Sequence, residues 1–475
     1  MSAVLDALTL RARVTPGDVV LTWNDGALTA AELMTEVSCL AARLFGDLSP
    51  VGVALDNGPA WVIADLALIL SGRPSVPIPP FFTPSQRDHA LADAGARLLI
   101  TAGDADDDVV LPGGRLRFAK TGAAGRLLHP GTAKITYTSG STGAPKGVCL
   151  SQAQMEAVAA SLVTVLGQDR AGLHMPVLPL AVLLENVAGL YVTFLAGGRY
   201  HAVSLSEAGM GDAFRPDFAK LLTTVAQAGA TTLILVPELL RGLIAAQATL
   251  RLDHGLEMIA VGGARVSPAL LNAASAAGLP VVEGYGLSEC ASVVALNTPD
   301  DARPGTVGRP LPHLQVALAP DGEILVSPHP FLGYVGGEAA SHTLGTGDIG
   351  AFDGEGRLRI EGRKGNILIT AFGRNVAPEW VESELLAEPH ILQAMVLGEA
   401  EAALSALIVP MPGVDPAQVD AAVARANGRL PDYARVEAWR PVPPFDPAAG
   451  QVTANGRPRR DALRRAHAIP PSQNA

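Results

Sequence analysis

Cysteine is scarce in this chain. Cys39, Cys149 and Cys290 are its three, too few and too scattered for a disulfide framework or a zinc site, and such sparing use fits a reducing compartment. Charge is sparse as well: Asp, Glu, Lys and Arg make up 17% of the sequence against 48% hydrophobic residues, a balance that argues for a well-packed globular protein and against a disordered or coiled-coil one. Lysine is rarer still, with Lys120, Lys134, Lys146, Lys220 and Lys364 the five among 35 basic residues, a bias in keeping with a GC-rich genome. The formal net charge of −11 argues against general affinity for nucleic acid or an anionic membrane. Apolar runs such as Trp61 to Leu70 fall short of a bilayer span. The start, Met-Ser-Ala-Val-Leu-Asp-Ala-Leu, lacks a basic region followed by an apolar core, so no signal peptide is expected. The expectation is a cytoplasmic protein with no nucleic-acid partner and no integral membrane association. Its 475 residues accommodate three domain-sized units or two unequal lobes.

What is present is concentrated between Tyr137 and Gly147, Tyr-Thr-Ser-Gly-Ser-Thr-Gly-Ala-Pro-Lys-Gly. A polyphosphate must be met by many hydrogen-bond donors, and backbone N–H groups converge on it where side chains do not block them, which Gly140, Gly143 and Gly147 allow. Thr138, Ser139, Ser141 and Thr142 add hydroxyls, and Lys146 adds a compact cation with rotatable donors. Lys134 to Thr138 alternates like a short strand, Val148 to Leu150 reads as another, and Ser151 with Gln154 forms a capping box opening an Ala-rich helix. The loop is not a Walker A motif, because Lys146 is followed by Gly147 rather than Ser or Thr. A Gly/Ser-rich surface linker is the bland alternative.

Elsewhere the pattern alternates helical segments (Thr29 to Phe45, Trp61 to Leu70) with short apolar strands (Val51 to Leu55, Ser75 to Pro77, Leu98 to Thr101) up to about residue 125, the rhythm of a doubly wound α/β layer. It returns from the phosphate loop to about residue 300, with strands expected at Leu233 to Val236, Met258 to Val261 and Val281 to Glu283. Residues 301–362 turn to Gly, Pro and short β-type runs such as Gly322 to Ser327 and Gly356 to Ile360, read as a small β-barrel or β-meander. A compact mixed unit follows Arg363. Glu283-Gly-Tyr-Gly-Leu-Ser-Glu289 sits directly after a strand, where ligands gather in open α/β sheets. Gly345, Gly347 and Gly350 spell a G-x-G-x-x-G pattern, but the residues after it read as a turn and not a helix, so a dinucleotide fold is rejected.

With these motifs the chain resembles the adenylate-forming superfamily of acyl-CoA synthetases, luciferases and peptide-synthetase adenylation domains, from about residue 20 to 462. The resemblance implies an α/β fold in which a large N-terminal domain, residues 1–363, combines two doubly wound α/β subdomains with a small β-barrel. A smaller mobile α+β C-terminal domain, residues 364–475, would turn about a hinge at 363–365. It implies ATP, magnesium (Mg2+) and CoA as cofactors and co-substrate. It places Tyr285 with Gly286 by the adenine, Ser288 at phosphate and Glu289 on magnesium. Gly263 and Ala264 fall in the family's segment beside adenine and acyl group, and Asp348 becomes a ribose-hydroxyl acceptor with Arg363 as its cationic partner. The hinge falls on Gly365, where a turn-closing glycine is the equal alternative. The C-terminal catalytic lysine of the family is replaced by Arg457, so catalysis would rest on Lys146, Thr142, Glu289 and Arg457. Arg457 either substitutes adequately, slows adenylation or abolishes it. The nearby run Arg457, Arg459, Arg460, Arg464 and Arg465 reads as a solvated tail or as a CoA-phosphate contact.

The implied acid pocket is lined by Leu178 to Asn186 and the helix to Leu195. No carboxylate lies between His174 and Leu184 to meet an ammonium, so amino-acid activation is disfavoured, and the block loosely resembles that of fatty acyl-CoA synthetases, with Val182 in place of a His and Glu185 kept. The reading is ATP-dependent conversion of a hydrophobic carboxylic acid to an acyl-adenylate, then transfer to a thiol of CoA or of an acyl carrier protein. The rival is a nucleotide or acyl-adenylate binding protein without turnover, suggested by Arg457, Val182 and Gln152.

Overall fold

A computed structural model describes residues 2–103, 109–138, 145–170, 172–211, 216–453 and 458–467. Local chemistry sets many helix starts. Thr29 and Glu32 close a capping box on the helix Ala30–Leu44, and Ser151 with Gln154 does the same for Gln152–Leu166, each pairing satisfying two backbone donors that a helix start leaves open. The helix Pro59–Ser71 is buried along nearly its whole length and places Trp61 in the core. It stops at Gly72, whose φ of 70° is one that glycine tolerates without strain.

Among the described residues two large mixed sheets form. One runs, in spatial order, Gly333–Tyr334, Lys146–Ser151, Thr132–Thr138, Ser75–Pro77, Val51–Ala54, Leu98–Ala102, Gly114–Lys120 and Val109–Leu111. The other runs Arg309–Pro310, Ser292–Leu296, Val281–Leu287, Met258–Val261, Thr232–Leu235, Leu173–His174, Arg199–His201, Val19–Trp23 and Gly26–Thr29. The two α/β subdomains are there, but they are not consecutive stretches of chain. The strands flanking the phosphate loop join the first sheet, and the N-terminal strands Val19–Trp23 and Gly26–Thr29 join the second. Periodicity reports the type of an element; parallel pairing across long crossovers leaves no local trace.

Residues 315–363 form an open four-stranded antiparallel sheet, Gln315–Leu318, Glu323–Ser327, Leu344–Phe352 and Leu358–Arg363, the meander of the two arrangements the β-type runs allowed. Gly345, Gly347 and Gly350 lie within its long strand Leu344–Phe352, with no dinucleotide turn. After a 3-10 turn at Lys364–Asn366, a three-stranded sheet, Ile391–Leu397, Leu404–Pro410 and Val436–Pro441, carries a core of its own that includes Val381, Leu385, Val396, Ile408 and Val423. The alternate residues Met395, Leu397, Leu407 and Val409 pack with Phe445, Val452 and Leu463, on the opposite face, as the two-residue period of a strand requires. Among the described residues no helix is long and apolar enough to cross a membrane.

Candidate active site

The phosphate loop is the connection of a hairpin. Thr138 ends one strand and lies opposite Lys146, which begins the next. Ser139, Gly140, Ser141, Thr142 and Gly143 lie outside the described residues. Gly147 has a packing reason: a Cβ there would sit 2.7 Å from Val335 Cγ2 and 2.9 Å from Tyr137 Cζ. The short strand Gly333–Tyr334 runs antiparallel to the Lys146 strand, with Tyr334 opposite Val148. This brings the Lys146 ammonium over the Tyr334 ring, 5.7 Å from its centroid. The Tyr334 hydroxyl in turn donates to Glu289 Oε1 at 2.8 Å. Burial, then the neighbouring Glu289 carboxylate, push the Tyr334 hydroxyl well above its ordinary range, so it stays a donor.

The second cluster centres on Asp348. Tyr285 donates its hydroxyl to Asp348 Oδ2 at 2.7 Å, and Arg363 donates to Asp348 Oδ1 at 2.8 Å. Asp348 and Arg363 face each other across adjacent antiparallel strands, which explains why residues fifteen apart meet. Burial works against the Arg363 charge, but Asp348, Tyr285 and Glu289 outweigh it and raise its pKa, so the two clusters share one electrostatic neighbourhood. Gly286 permits the bend that sets Tyr285 and Glu289 in place: a Cβ there would fall 1.7 Å from the Ser292 carbonyl oxygen, and the register shifts at that point. Ser288 opens the 3-10 turn Ser288–Cys290, and its carbonyl accepts the Ala291 N–H at 3.1 Å. The next residues, Ala291 and Ser292, hold positive φ of 53° and 115°, conformations that cost energy in non-glycine residues and cluster at functional sites. Gly263 and Ala264 are exposed on the loop after the strand Met258–Val261. Of the three thiols, burial pushes Cys149 up to about 11 and Cys290 higher still, which leaves both unreactive.

Among the described residues no group of three His, Cys, Asp or Glu side chains could hold a metal on its own. The single carboxylate Glu289, linked through Tyr334 to Lys146, suits magnesium, which binds through one or two carboxylates plus substrate phosphates. Asp348 suits a nucleoside hydroxyl, since each carboxylate oxygen can accept more than the one hydrogen bond it already has.

The segment expected to line the acid pocket is pinned from behind. Asn57 accepts the Leu180 N–H at 2.6 Å and donates to the Leu178 carbonyl at 3.0 Å, and Leu178, Leu180, Ala181 and Leu183 are buried. The expected helix begins as a π-helix, Glu185–Tyr191, a rare form that recurs at functional sites. Glu185 is fully buried, with Oε1 bonded to His174 Nε2 at 2.8 Å and to the Tyr200 hydroxyl at 3.2 Å.

Arg457 lies outside the described residues. Two of the arginines after it are not solvated: Arg460 donates to both oxygens of Glu382 at 2.5 and 2.6 Å and to the Val396 carbonyl at 3.0 Å, and Arg464 is buried in the helix Arg460–Ala466, whereas Arg465 is exposed. Sequence reasoning had no reason to give Arg460 this partner, 78 residues away.

Glu283, just before the Gly-Tyr-Gly run, is buried and accepts the Val266 N–H at 3.3 Å. Burial pushes its carboxyl up to about 8, against that bond and Arg265. A raised folded-state pKa means that this group's contribution to stability is complete below the ordinary value of 4.5 and is lost as pH rises toward about 8. Glu283→Gln, which mimics the protonated form, is expected to flatten that part of the pH dependence of the thermal midpoint. Parallel curves for native and variant would show that Glu283 is ionised throughout.

Residues 8–334 match the AMP-binding enzyme family and residues 365–468 its C-terminal domain; the chain belongs to the AMP-binding enzymes. A long-chain-fatty-acid–CoA ligase of Mycobacterium bovis is 29% identical, with 85% of this chain and 84% of that protein aligned. A feruloyl-CoA synthase of an Amycolatopsis species is 31% identical over 82% of this chain and 84% of that one. Among solved structures, the anthranilate CoA ligase AuaEII in complex with anthranoyl-AMP superposes with a TM-score of 0.81 over 98% of this chain and 97% of that one. At 21% identity that likeness speaks to the fold.

Proposed function

We propose that this protein is an AMP-forming acid–thiol ligase that activates a hydrophobic carboxylic acid and passes it to the thiol of CoA. The observation that carries the reading is the convergence of Lys146, Glu289, Asp348 and Arg363, drawn from separate segments, around the end of the phosphate-loop hairpin. In the first step the acid's carboxylate attacks the α-phosphorus of ATP, the bond to the leaving pyrophosphate breaks, and an acyl-adenylate forms. Lys146, Thr142 and Arg457 counter the charge that develops, and Thr138, Ser139, Gly140, Ser141 and Gly143 supply the loop's donors. Tyr285, Gly263 and Ala264 take the adenine, Ser288 a phosphate oxygen, and Asp348 with Arg363 the ribose. Glu289 holds magnesium, which when bound offsets phosphate charge. In the second step the thiol attacks the acyl carbon and AMP leaves.

CoA is favoured as acceptor because both relatives are named for CoA thioesters; an acyl carrier protein is the alternative. Those relatives act on a long-chain fatty acid and on a feruloyl group, which supports an apolar acid without fixing its shape. The division at residues 363–365 and rotation of the smaller lobe about it belong to the same proposal.

ATP-dependent pyrophosphate release, with and without CoA, across acetate, octanoate, palmitate and benzoate tests it, with native protein and Arg457→Lys side by side. Release by the native protein is expected and would show that Arg457 suffices. Silence in the native protein with activity in Arg457→Lys would mark a disabled first step and favour a binding protein.

A further inference from the structure

The loop that carries Gly263 and Ala264 continues into Arg265, and this side chain leaves the large lobe's own sheet. Its Nη1 donates to the Ile360 carbonyl at 2.6 Å and to the Glu361 carbonyl at 3.3 Å, in the strand that ends at Arg363. Its guanidinium carbon lies 5.9 Å from the ring centroid of Trp380, on the helix Pro378–Leu386 of the small lobe. Glu283 and Glu361 from one side and Glu379 and Glu384 from the other contribute to the field at this cation. Arg241 donates to the Ile391 carbonyl at 2.6 Å, and a Cβ on Gly362 would fall 2.4 Å from that of Ala377.

We propose that Arg265 is a positioning residue that latches the small lobe in the orientation seen here, tying the helix Pro378–Leu386 to the loop at Gly263 and Ala264. The idea rests on the two-step reading above. The latched orientation is assigned to the second step by geometry. Trp380 belongs to the side of the three-stranded sheet that faces Arg265, whereas Val452 and Leu463, which flank the Arg457 segment, pack on the other face of that sheet. An arrangement that directs the Trp380 side inward presents the face opposite to Val452 and Leu463, so it is assigned to thiol transfer and not to adenylation. A planar guanidinium can stack on an indole while it donates to a pair of carbonyls; an ammonium cannot hold both geometries at once.

The first readout needs no substrate. Lys364 is half exposed at the joint between the lobes, bonded to Asp321 and Glu323, so tryptic cleavage of the full chain after Arg363 and Lys364 reports release of the small lobe. Arg265→Ala is expected to speed that cleavage about tenfold, the equivalent of about 1.4 kcal/mol. Trp380→Leu should do the same, the double variant no more than either single one, and Arg265→Lys should fall between native and Arg265→Ala. The second readout supplies octanoyl-AMP and CoA to native protein and Arg265→Lys: thioester formation should slow in the variant while pyrophosphate release from octanoate and ATP does not fall. Unchanged cleavage in both Arg265→Ala and Trp380→Leu, or a loss of pyrophosphate release with thioester formation intact, would overturn the latch. A protein with faster cleavage in the variants but no pyrophosphate release in any form would keep the latch and lose the ligase reading.

Discussion

Replacement of Lys146 by alanine is expected to lower ATP-dependent pyrophosphate release by about two to three orders of magnitude, the usual cost of removing one preorganised group that meets transition-state charge, while leaving thermal stability nearly unchanged. The two halves of that expectation have separate causes. Lys146 is exposed at the first position of its strand, where truncation removes little packing, and surface substitutions of this kind stay within about 0.5 kcal/mol. Its role is set by where the hairpin holds it: opposite Thr138, over the Tyr334 ring, and through that ring next to Glu289. Steady-state pyrophosphate release and a melting curve on the same preparation check both halves. Full release by the variant would remove the phosphate loop from the reaction. Tyr334→Phe sharpens the comparison, because it keeps the ring beneath Lys146 and deletes the hydroxyl that orients Glu289.

Tyr334 illustrates where the sequence stops being legible. The Tyr137 to Gly147 motif, the Glu283 to Glu289 block and the pair Asp348 and Arg363 stand out in the sequence because each concentrates unusual residue types within a few positions, next to a strand end. Tyr334 stands among ordinary glycines, and what gives it meaning is the antiparallel pairing of a two-residue strand with a strand nearly 190 positions earlier. Arg265 and Arg460 are hidden for the same reason, since their partners Trp380 and Glu382 are distant in the chain. The helix Ala30–Leu44 was legible almost to the residue and the capping box that starts Gln152–Leu166 was legible too, whereas the capping-box helices Pro84–Ala94 and Pro416–Asn427 were not read; Ser75–Pro77 and Met258–Val261 were legible as strands. Which sheet each strand joins was not. Gly147 was read as access for a ligand, whereas its neighbours show that a side chain would collide with Val335 and Tyr137; at Gly286 a side chain would collide with the Ser292 backbone.

The largest loss of stability is expected at Lys134, which the sequence offered as a strand residue and nothing more. It is 1% exposed, and its ammonium donates to Asp65 Oδ1 at 2.7 Å, to the Tyr191 hydroxyl at 3.1 Å and to the Asn186 side-chain carbonyl. Tyr191 and Asn186 complete the set by donating to Asp65 Oδ2 at 2.7 and 3.1 Å. Burial lowers the Lys134 pKa and Asp65 opposes that shift. The cluster joins the helix Pro59–Ser71, the strand that ends at Thr138 and the π-helix Glu185–Tyr191, so the strand feeding the phosphate loop and the segment behind the proposed acid pocket share one buried charge pair. Lys134→Met would leave Asp65 as an uncompensated buried carboxylate, and breaking such a pair from one side costs about 3–5 kcal/mol. The melting temperature of the large lobe should fall by about 4–7 °C, followed by the fluorescence of Trp61, whose ring lies 5.8 Å from the ammonium. Adding Asp65→Leu should recover much of the loss, because two apolar groups of similar volume can replace a buried ion pair at little cost. If Lys134→Met alone melted within a degree of the native protein, the pair of Lys134 and Asp65 would not be what ties these three elements together.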